Sequence, residues 1–296
     1  MRLPFVTVDV FTKTRFGGNP LAVVLDADAL NQAQMQTIAQ EFGLPETTFI
    51  CKSKDIANDA NVRIFTPTSE MPFAGHPNIG TAYVLASRSG QKKNKFVFEE
   101  HAGLVSIDIW YDDSTVIGAE LRAPQKLTIG ETVSVDLVAA ACGISPAEID
   151  VTKHPPRVTS TGAKFITVQV RSTATLKKAK CSDDIFKQNW PLTFATGVHL
   201  YTCVNEMEHD VQARMFAPLH GIAEDPATGS ATTNLIGLLA LLSPEENLCL
   251  IKKISQGGEI GRPSLLVATA IKECNAVLET KVRGSCVPVM EGIIDI

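Results

Sequence analysis

A chain of 296 residues with a formal net charge of −5 is long enough for two domains of ordinary size, each with a core of its own. At 45% hydrophobic and 20% charged residues it has an ordinary globular composition. No block of Lys or Arg stands out beyond Lys177, Lys178 and Lys180, which excludes a nucleic-acid footprint and leaves that cluster as a solvated face. The longest apolar stretch, Leu235 to Leu242, is too short to span a bilayer, so no membrane partner is expected.

Residues 3–12 alternate as a strand, and Asp9 interrupts the apolar continuity that a signal peptide needs, so a cytoplasmic location is expected. Residues 16–20 form a tight turn and 21–25 a short apolar strand. Helical periodicity runs from Asp28 to Phe42, with Leu30, Met35, Ile38, Ala39 and Phe42 on one face and Gly43 as terminator. Glu46 then stands at the mouth of a β-branched strand over 47–51. A strand over 61–66, a loop over 67–75 and a helix opened by Pro77 and reaching about Ser89 follow. Two strands within 94–110 surround a turn at 101–103. A linker lies near 120–130 and a helix over 134–143. In the second half, 165–170 is the counterpart of 21–25, with a short helix over 182–188. Strands over 199–204 and 212–216 lead to an apolar helix over 226–242, and strands over 264–271, 276–282 and 286–294 close the chain. The second central helix is apolar nearly all round and is expected to be buried.

The chain repeats itself half a length apart. Residues 63–82 read RIFTPTSEMPFAGHPNIGTA, and 214–233 read RMFAPLHGIAEDPATGSATT. Arg63 to Arg214 is 214 − 63 = 151 residues, and Pro77 to Pro226 is 226 − 77 = 149. Self-similarity at a fixed offset is the mark of a duplicated architecture. The expected fold is α+β: two pseudo-symmetric halves, each a curved mixed sheet wrapped around a central buried helix. The halves are placed at 1–119 with 280–296 and at 120–279, and the ligand site in the cleft between them.

Chemistry is expected at the two helix starts, where unpaired N–H groups and partial positive charge favour an anion. Gly75 and His76 stand at one, and Asp225, Gly229 and Ser230 at the other; small residues let a carboxylate approach the backbone. Plain capping, with Asp225 as N-cap before Pro226, is the alternative. Glu46 becomes a proton carrier if desolvated in a cleft, and His76 is a proton shuttle, a hydrogen-bond donor to a ligand or structural. Asn19 sits in a Gly-Gly-Asn-Pro turn where conformation alone favours Asn. Arg63 and Arg214 precede Phe at matched positions and read as structural ion-pairing partners. Ser230 lacks the Gly-x-Ser-x-Gly elbow of a hydrolase nucleophile. Seven cysteines, an odd number with no Cys-x-x-Cys pair, indicate neither a disulfide framework nor a metal set; reduced thiols suit the cytosol.

Asp9-Val10-Phe11-Thr12, Gly18-Asn19-Pro20, Glu46-Thr47-Thr48-Phe49, Arg63-Ile64-Phe65-Thr66-Pro67, Pro72-Phe73-Ala74-Gly75-His76-Pro77 and Glu224-Asp225-Pro226-Ala227-Thr228-Gly229-Ser230-Ala231 occur in that order. With them the chain resembles the PhzF-like phenazine-biosynthesis family over nearly its whole length. The resemblance implies the diaminopimelate-epimerase-like fold and isomerisation of trans-2,3-dihydro-3-hydroxyanthranilate with no cofactor. It implies Glu46 as the proton-moving carboxylate, His76, Asp225 and Ser230 lining its pocket, Gly75 and Gly229 at the substrate carboxylate, and a homodimer. The related epimerases and racemases use a cysteine from each helix-start loop; neither loop here has one, which disfavours a two-thiol mechanism. The expected partner is a small carboxylic acid substrate. A non-thiol racemase or epimerase, and a metabolite-binding protein without turnover, are the alternatives.

Overall fold

The computed structural model describes residues 1–296 except 192 and 205. The chain divides into Met1–Arg122 with Arg283–Ile296, and Ala123–Val282. The first unit holds β1 (Arg2–Val10), β2 (Asn19–Val24), α1 (Gln32–Phe42), β3 (Glu46–Cys51), β4 (Ala60–Phe65), β5 (Glu70–Met71), α2 (Gly75–Arg88), β6 (Lys95–Glu100), β7 (Gly103–Asp112) and β8 (Thr115–Arg122). The second holds β9 (Thr128–Thr132), α3 (Val135–Ala141), β10 (Arg157–Ser160), β11 (Lys164–Gln169), α4 (Thr173–Lys178), α5 (Asp183–Asn189) and β12 (Gly197–Cys203). It continues with β13 (Val211–Ala217), β14 (Ile222–Asp225), α6 (Gly229–Leu242), β15 (Leu248–Gln256) and β16 (Ser264–Glu273). The last strand, β17 (Ala276–Asp295), starts in the second unit and ends in the first. The protein is a strand-rich α+β fold, and no helix among the described residues is long and apolar enough to cross a membrane.

In the first unit β1 pairs antiparallel with β2 and β17, β2 runs parallel to β3, and β3 pairs antiparallel with β4. β4 pairs parallel with β6, and β6, β7 and β8 form an antiparallel meander. β8 meets β17, which closes the circuit. The helix α2 packs on β1, β2, β3, β7 and β8. It is buried on almost every side, from His76 through Ala86. Gly80 permits that approach: a Cβ there would lie 2.6 Å from Leu21 Cδ2 and 2.9 Å from Val10 Cγ2. α1 covers other strands. Asn31 caps it in a reciprocal box with Gln34, Gly43 ends it at φ 61°, and Met35, Ile38 and Ala39 pack with Leu3, Val24, Phe49 and Phe65. The helix therefore begins after Asn31, and 27–29 form a separate single turn, four residues later than the periodicity suggests.

In the second unit β9, β10 and β11 pair antiparallel in sequence, β11 is parallel to β12, and β12 is antiparallel to β13. β13 pairs with β14 and with β15, and β15 with β16. The helix α6 packs on β10, β11, β15 and β16. A second cluster joins Val138, Ala139, Leu176 and Phe186 of α3, α4 and α5 to Val158, Ile166, Val198 and Leu200 of the strands.

Three expectations are corrected. Both central helices start away from their prolines, α2 at Gly75 and α6 at Gly229. The strands expected over 276–282 and 286–294 are one strand, because Gly284 is a close backbone approach and not a turn: a Cβ there would lie 2.2 Å from Phe11 Cδ1. The sequence reading also passed over β5, which lies in the expected loop, β8, β9, β10, α4, β14 and β15. In β15 chemistry and burial alternate out of phase: Ile251 is exposed, whereas Lys252 reaches Asp210 at 2.9 Å.

Candidate active site

The left-handed Gly43 ends α1 and redirects the chain so that Glu46 opens β3, opposite Leu21 of β2. His76 is the second residue of α2. Its Nε2 lies 3.4 Å from Glu46 Oε2, and both side chains are largely buried. Burial pulls the imidazole pKa down to about 3, against the opposing pull of a hydrogen bond to the Pro20 carbonyl, so the ring is neutral near pH 7. Nε2 has no hydrogen-bond partner, which leaves Nδ1–H as the donor to Pro20. Nε2 therefore faces Glu46 with its lone pair. A lone pair against an ionised carboxylate repels, so the pair is complementary when one proton lies between the two atoms.

Asn19 opens β2 fully buried, one residue before the carbonyl that orients His76, and Gly75 is the first residue of α2. The first unit thus brings Glu46 and His76 together and places Asn19 and Gly75 on the adjoining backbone.

Asp225, Gly229 and Ser230 belong to the second unit. Asp225 ends β14, opposite Met215 of β13, and is not the N-cap. Thr228 holds that position, and its hydroxyl, which would otherwise cap the helix, donates to Asp225 Oδ2 at 2.5 Å. Gln256, the last residue of β15, locks the turn. Its amide donates to the Asp225 carbonyl at 2.8 Å and to Thr228 Oγ1 at 3.0 Å, and its Oε1 accepts from Thr228 N–H at 3.3 Å. Gly257 follows at φ 80°, where a Cβ would lie 2.5 Å from the Pro226 carbonyl oxygen. Gly229 and Ser230 are the first two residues of α6. The sequence reading gave Pro20 and Thr228 no role beyond their motifs, and Gln256 escaped it. The glycine pair at 257–258 is the trace that the chain carries of this close approach.

The two arginines are structural. Arg63 forks Glu70 with two hydrogen bonds of 2.7 Å, and Arg214 forks Glu224 at 2.8 and 2.6 Å. Each guanidinium also lies over the phenylalanine two residues on, Phe65 at 5.3 Å and Phe216 at 4.9 Å. Among the described residues no group of three or more His, Cys, Asp or Glu side chains could hold a metal ion.

A family model described as phenazine biosynthesis-like protein (PhzC-PhzF) matches residues 8–292. The chain is 32% identical over 290 residues, 98% of each sequence, to trans-2,3-dihydro-3-hydroxyanthranilate isomerase of Pseudomonas chlororaphis. It is 32% identical over 298 residues, 97% of each, to an uncharacterized isomerase of Mesorhizobium japonicum. Among solved structures, the Bacillus anthracis phenazine biosynthesis protein of the PhzF family superposes with a TM-score of 0.88 at 26% identity, covering all of both chains. A hydroxyproline epimerase from Agrobacterium vitis shares the fold, with a TM-score of 0.64 at 11% identity over 99% of this chain and 92% of that one.

Proposed function

On the premise that this chain belongs to the phenazine biosynthesis-like (PhzC-PhzF) family and is an isomerase, we propose a cofactor-independent proton shift on a small amino- or hydroxy-carboxylic acid. Glu46 is the acid–base group. The observation that carries this is the buried 3.4 Å contact between Glu46 and a neutral His76. The ionised Glu46 takes a proton from a substrate carbon. The electron pair left behind shifts the double bond, and the new carboxyl O–H returns the proton to another carbon on the same face. In between, the protonated carboxyl donates to His76 Nε2, which lowers the cost of holding the proton in a dry site. One base on one face favours a shift along that face over inversion of a centre.

In the first unit the helix N-terminus at Gly75 supplies backbone N–H groups for a substrate carboxylate, and in the second unit the one at Gly229 offers the same chemistry. Asn19 is the polar side chain beside it in the first unit, and Asp225 and Ser230 are the polar side chains we assign to substrate contact in the second. The name of the Pseudomonas chlororaphis relative supports the class, since a dihydro-hydroxyanthranilate is a cyclic amino- and hydroxy-acid. We further read the two units as pseudo-symmetric copies of one ancestral half, supported by the matched forks of Arg63 on Glu70 and Arg214 on Glu224.

Proton NMR in D₂O tests the reading, with dihydro-hydroxyanthranilate and a panel of cyclic and acyclic amino and hydroxy acids. Deuterium entering at carbon with a moved double bond, in wild type and not in Glu46→Gln, is the expected result. Undiminished exchange in Glu46→Gln overturns the role of Glu46. Exchange with loss of optical purity overturns the shift in favour of racemisation.

A further inference from the structure

At the start of α6 a short chain of hydrogen bonds has a direction that its own end groups dictate. Gln256 is 1% exposed, and its backbone is held on both sides, opposite Ala213 of β13 and Ser264 of β16. Gly257 and Gly261 follow in left-handed conformations, and Arg262 N–H returns to the Gly257 carbonyl at 2.9 Å. The side chain of Gln256 thus reaches the turn at 225–228 from a fixed point.

Backbone groups decide which way its amide faces. The Thr228 N–H can only donate, and Gln256 Oε1 accepts from it at 3.3 Å. The Asp225 carbonyl can only accept, and Gln256 Nε2 donates to it at 2.8 Å. A flipped amide would set donor against donor and acceptor against acceptor. The second Nε2 hydrogen then goes to Thr228 Oγ1 at 3.0 Å. A hydroxyl that accepts there has one hydrogen of its own to give, and Asp225 Oδ2 lies 2.5 Å away. That separation suits a hydroxyl bonded to an ionised oxygen. A proton on Oδ2 would set two hydrogens on one contact.

We propose that Gln256 and Thr228 are positioning residues: Gln256 aims the Thr228 hydroxyl hydrogen at Asp225 Oδ2, and the pair holds Asp225 as a carboxylate. Its charge is then governed by a side chain 31 residues away.

The charged groups on the neighbouring elements have other attachments. Glu224, beside Asp225 on β14, is forked by Arg214 of β13 at 2.8 and 2.6 Å. Glu259, in the turn after β15, accepts from the Gln212 amide at 2.8 Å, and Arg262 is the cation of that turn. His220 lies in the turn between β13 and β14, and the first turn of α6, Gly229 to Thr232, carries no charged residue. Both neighbouring carboxylates are thus held by groups outside the relay, which acts on Asp225.

The effect on turnover rests on the proposed contact between Asp225 and substrate; the effect on Asp225 itself does not. The test is a carbon-13 titration of the aspartate carboxyl groups, with the Asp225 signal assigned by its loss in Asp225→Asn. Thr228→Val removes the hydroxyl and should move the Asp225 midpoint up by roughly one to two pH units, the worth of one hydrogen bond to a charged group. Thr228→Ser keeps the hydroxyl and should leave the midpoint near that of wild type. Gln256→Met removes the amide without adding charge and should move it the same way by less, roughly half a pH unit. In wild type both Gln256 side-chain amide hydrogens should resist exchange. The one toward Thr228 should lose about tenfold of its protection in Thr228→Val and not in Thr228→Ser, so the relay is tested even where Gln256→Met does not fold. If the isomerase reading holds, KM rises roughly tenfold in Thr228→Val, with kcat changed less than KM. An Asp225 midpoint that ignores Thr228→Val or Gln256→Met, or that moves as far in Thr228→Ser as in Thr228→Val, overturns the inference, as does rapid exchange of both Gln256 amide hydrogens in wild type. A chain that turns over no substrate refutes the isomerase mechanism while the titration still decides this one.

Discussion

The segment around Arg63 and the segment around Arg214 share a scaffold and differ in chemistry. In each, an arginine on a strand forks a glutamate on the short strand that follows, and stacks on the phenylalanine two residues along. The second copy is the more deeply built. Arg214 also donates to the carbonyls of Leu176 and Ala179, so its guanidinium spans α4 as well as β14. Beyond the scaffold the polar groups diverge. Glu46 faces a neutral imidazole with its lone pair free for a proton. Asp225 instead receives a hydroxyl hydrogen from Thr228 inside a network closed by Gln256. The first unit thus holds a group that gains from a mobile proton, and the second a group already supplied with a fixed hydrogen.

The largest effect expected is on the mobile side. Glu46→Gln should lower turnover by roughly 10³–10⁴-fold, toward the upper end for one acid–base group, with the unfolding midpoint unchanged. Equal losses from Glu46→Gln and Asp225→Asn would erase the distinction between the two sides. The scaffold comes next. Arg214→Ala strands the largely buried Glu224 and two backbone carbonyls, and should cost about 3–5 kcal/mol in urea unfolding. Arg63→Ala should cost less, about 1–2 kcal/mol, because Arg63 is more exposed than Arg214 and, among the described residues, donates to no backbone carbonyl. Equal costs would mean that α4 gains nothing from Arg214.

Asp225→Asn is expected to keep the turn at 225–228 while lowering turnover by about 10²-fold, read as kcat/KM against substrate concentration. The last effect concerns the buried histidine of the second unit. His199 is fully buried, with neither ring nitrogen hydrogen-bonded, and burial lowers its pKa to about 4. The unfolded chain therefore binds more protons as pH falls below about 6.5, and stability is lost through the window down to about 4. Relative to His199→Leu, wild type should lose about 2 kcal/mol between pH 7 and pH 5. Parallel pH curves for the two would show that His199 titrates normally.

Much of this was legible because it is local. The duplication needed only the repeated Arg-x-Phe and Pro-x-x-Gly spacing. The end of α1 needed only Gly43, and the structural role of the arginines only their matched places before phenylalanine. The helix starts were misplaced because proline marks where a helix can begin, whereas the partner of Thr228 decides where α6 does begin. Thr228 is held by Asp225 and Gln256, the latter 28 residues away. Glycine misled for the same reason: at Gly43 it serves a turn, at Gly284 the contact with Phe11, and the two look alike in one dimension.

The sequence by itself determined the α+β class, the repeat, the family resemblance and the residues to suspect, since these depend on residue type and spacing alone. The tertiary structure decided which suspects meet and in what protonation state. Glu46 and His76 lie 30 residues apart, and only the packing of α2 among β1, β2, β3, β7 and β8 brings them within 3.4 Å. Only burial there makes the histidine neutral, and only the Pro20 carbonyl turns its free nitrogen toward the carboxyl group. Desolvation and hydrogen-bond direction are properties of the assembled core, and no stretch of chain carries them in advance.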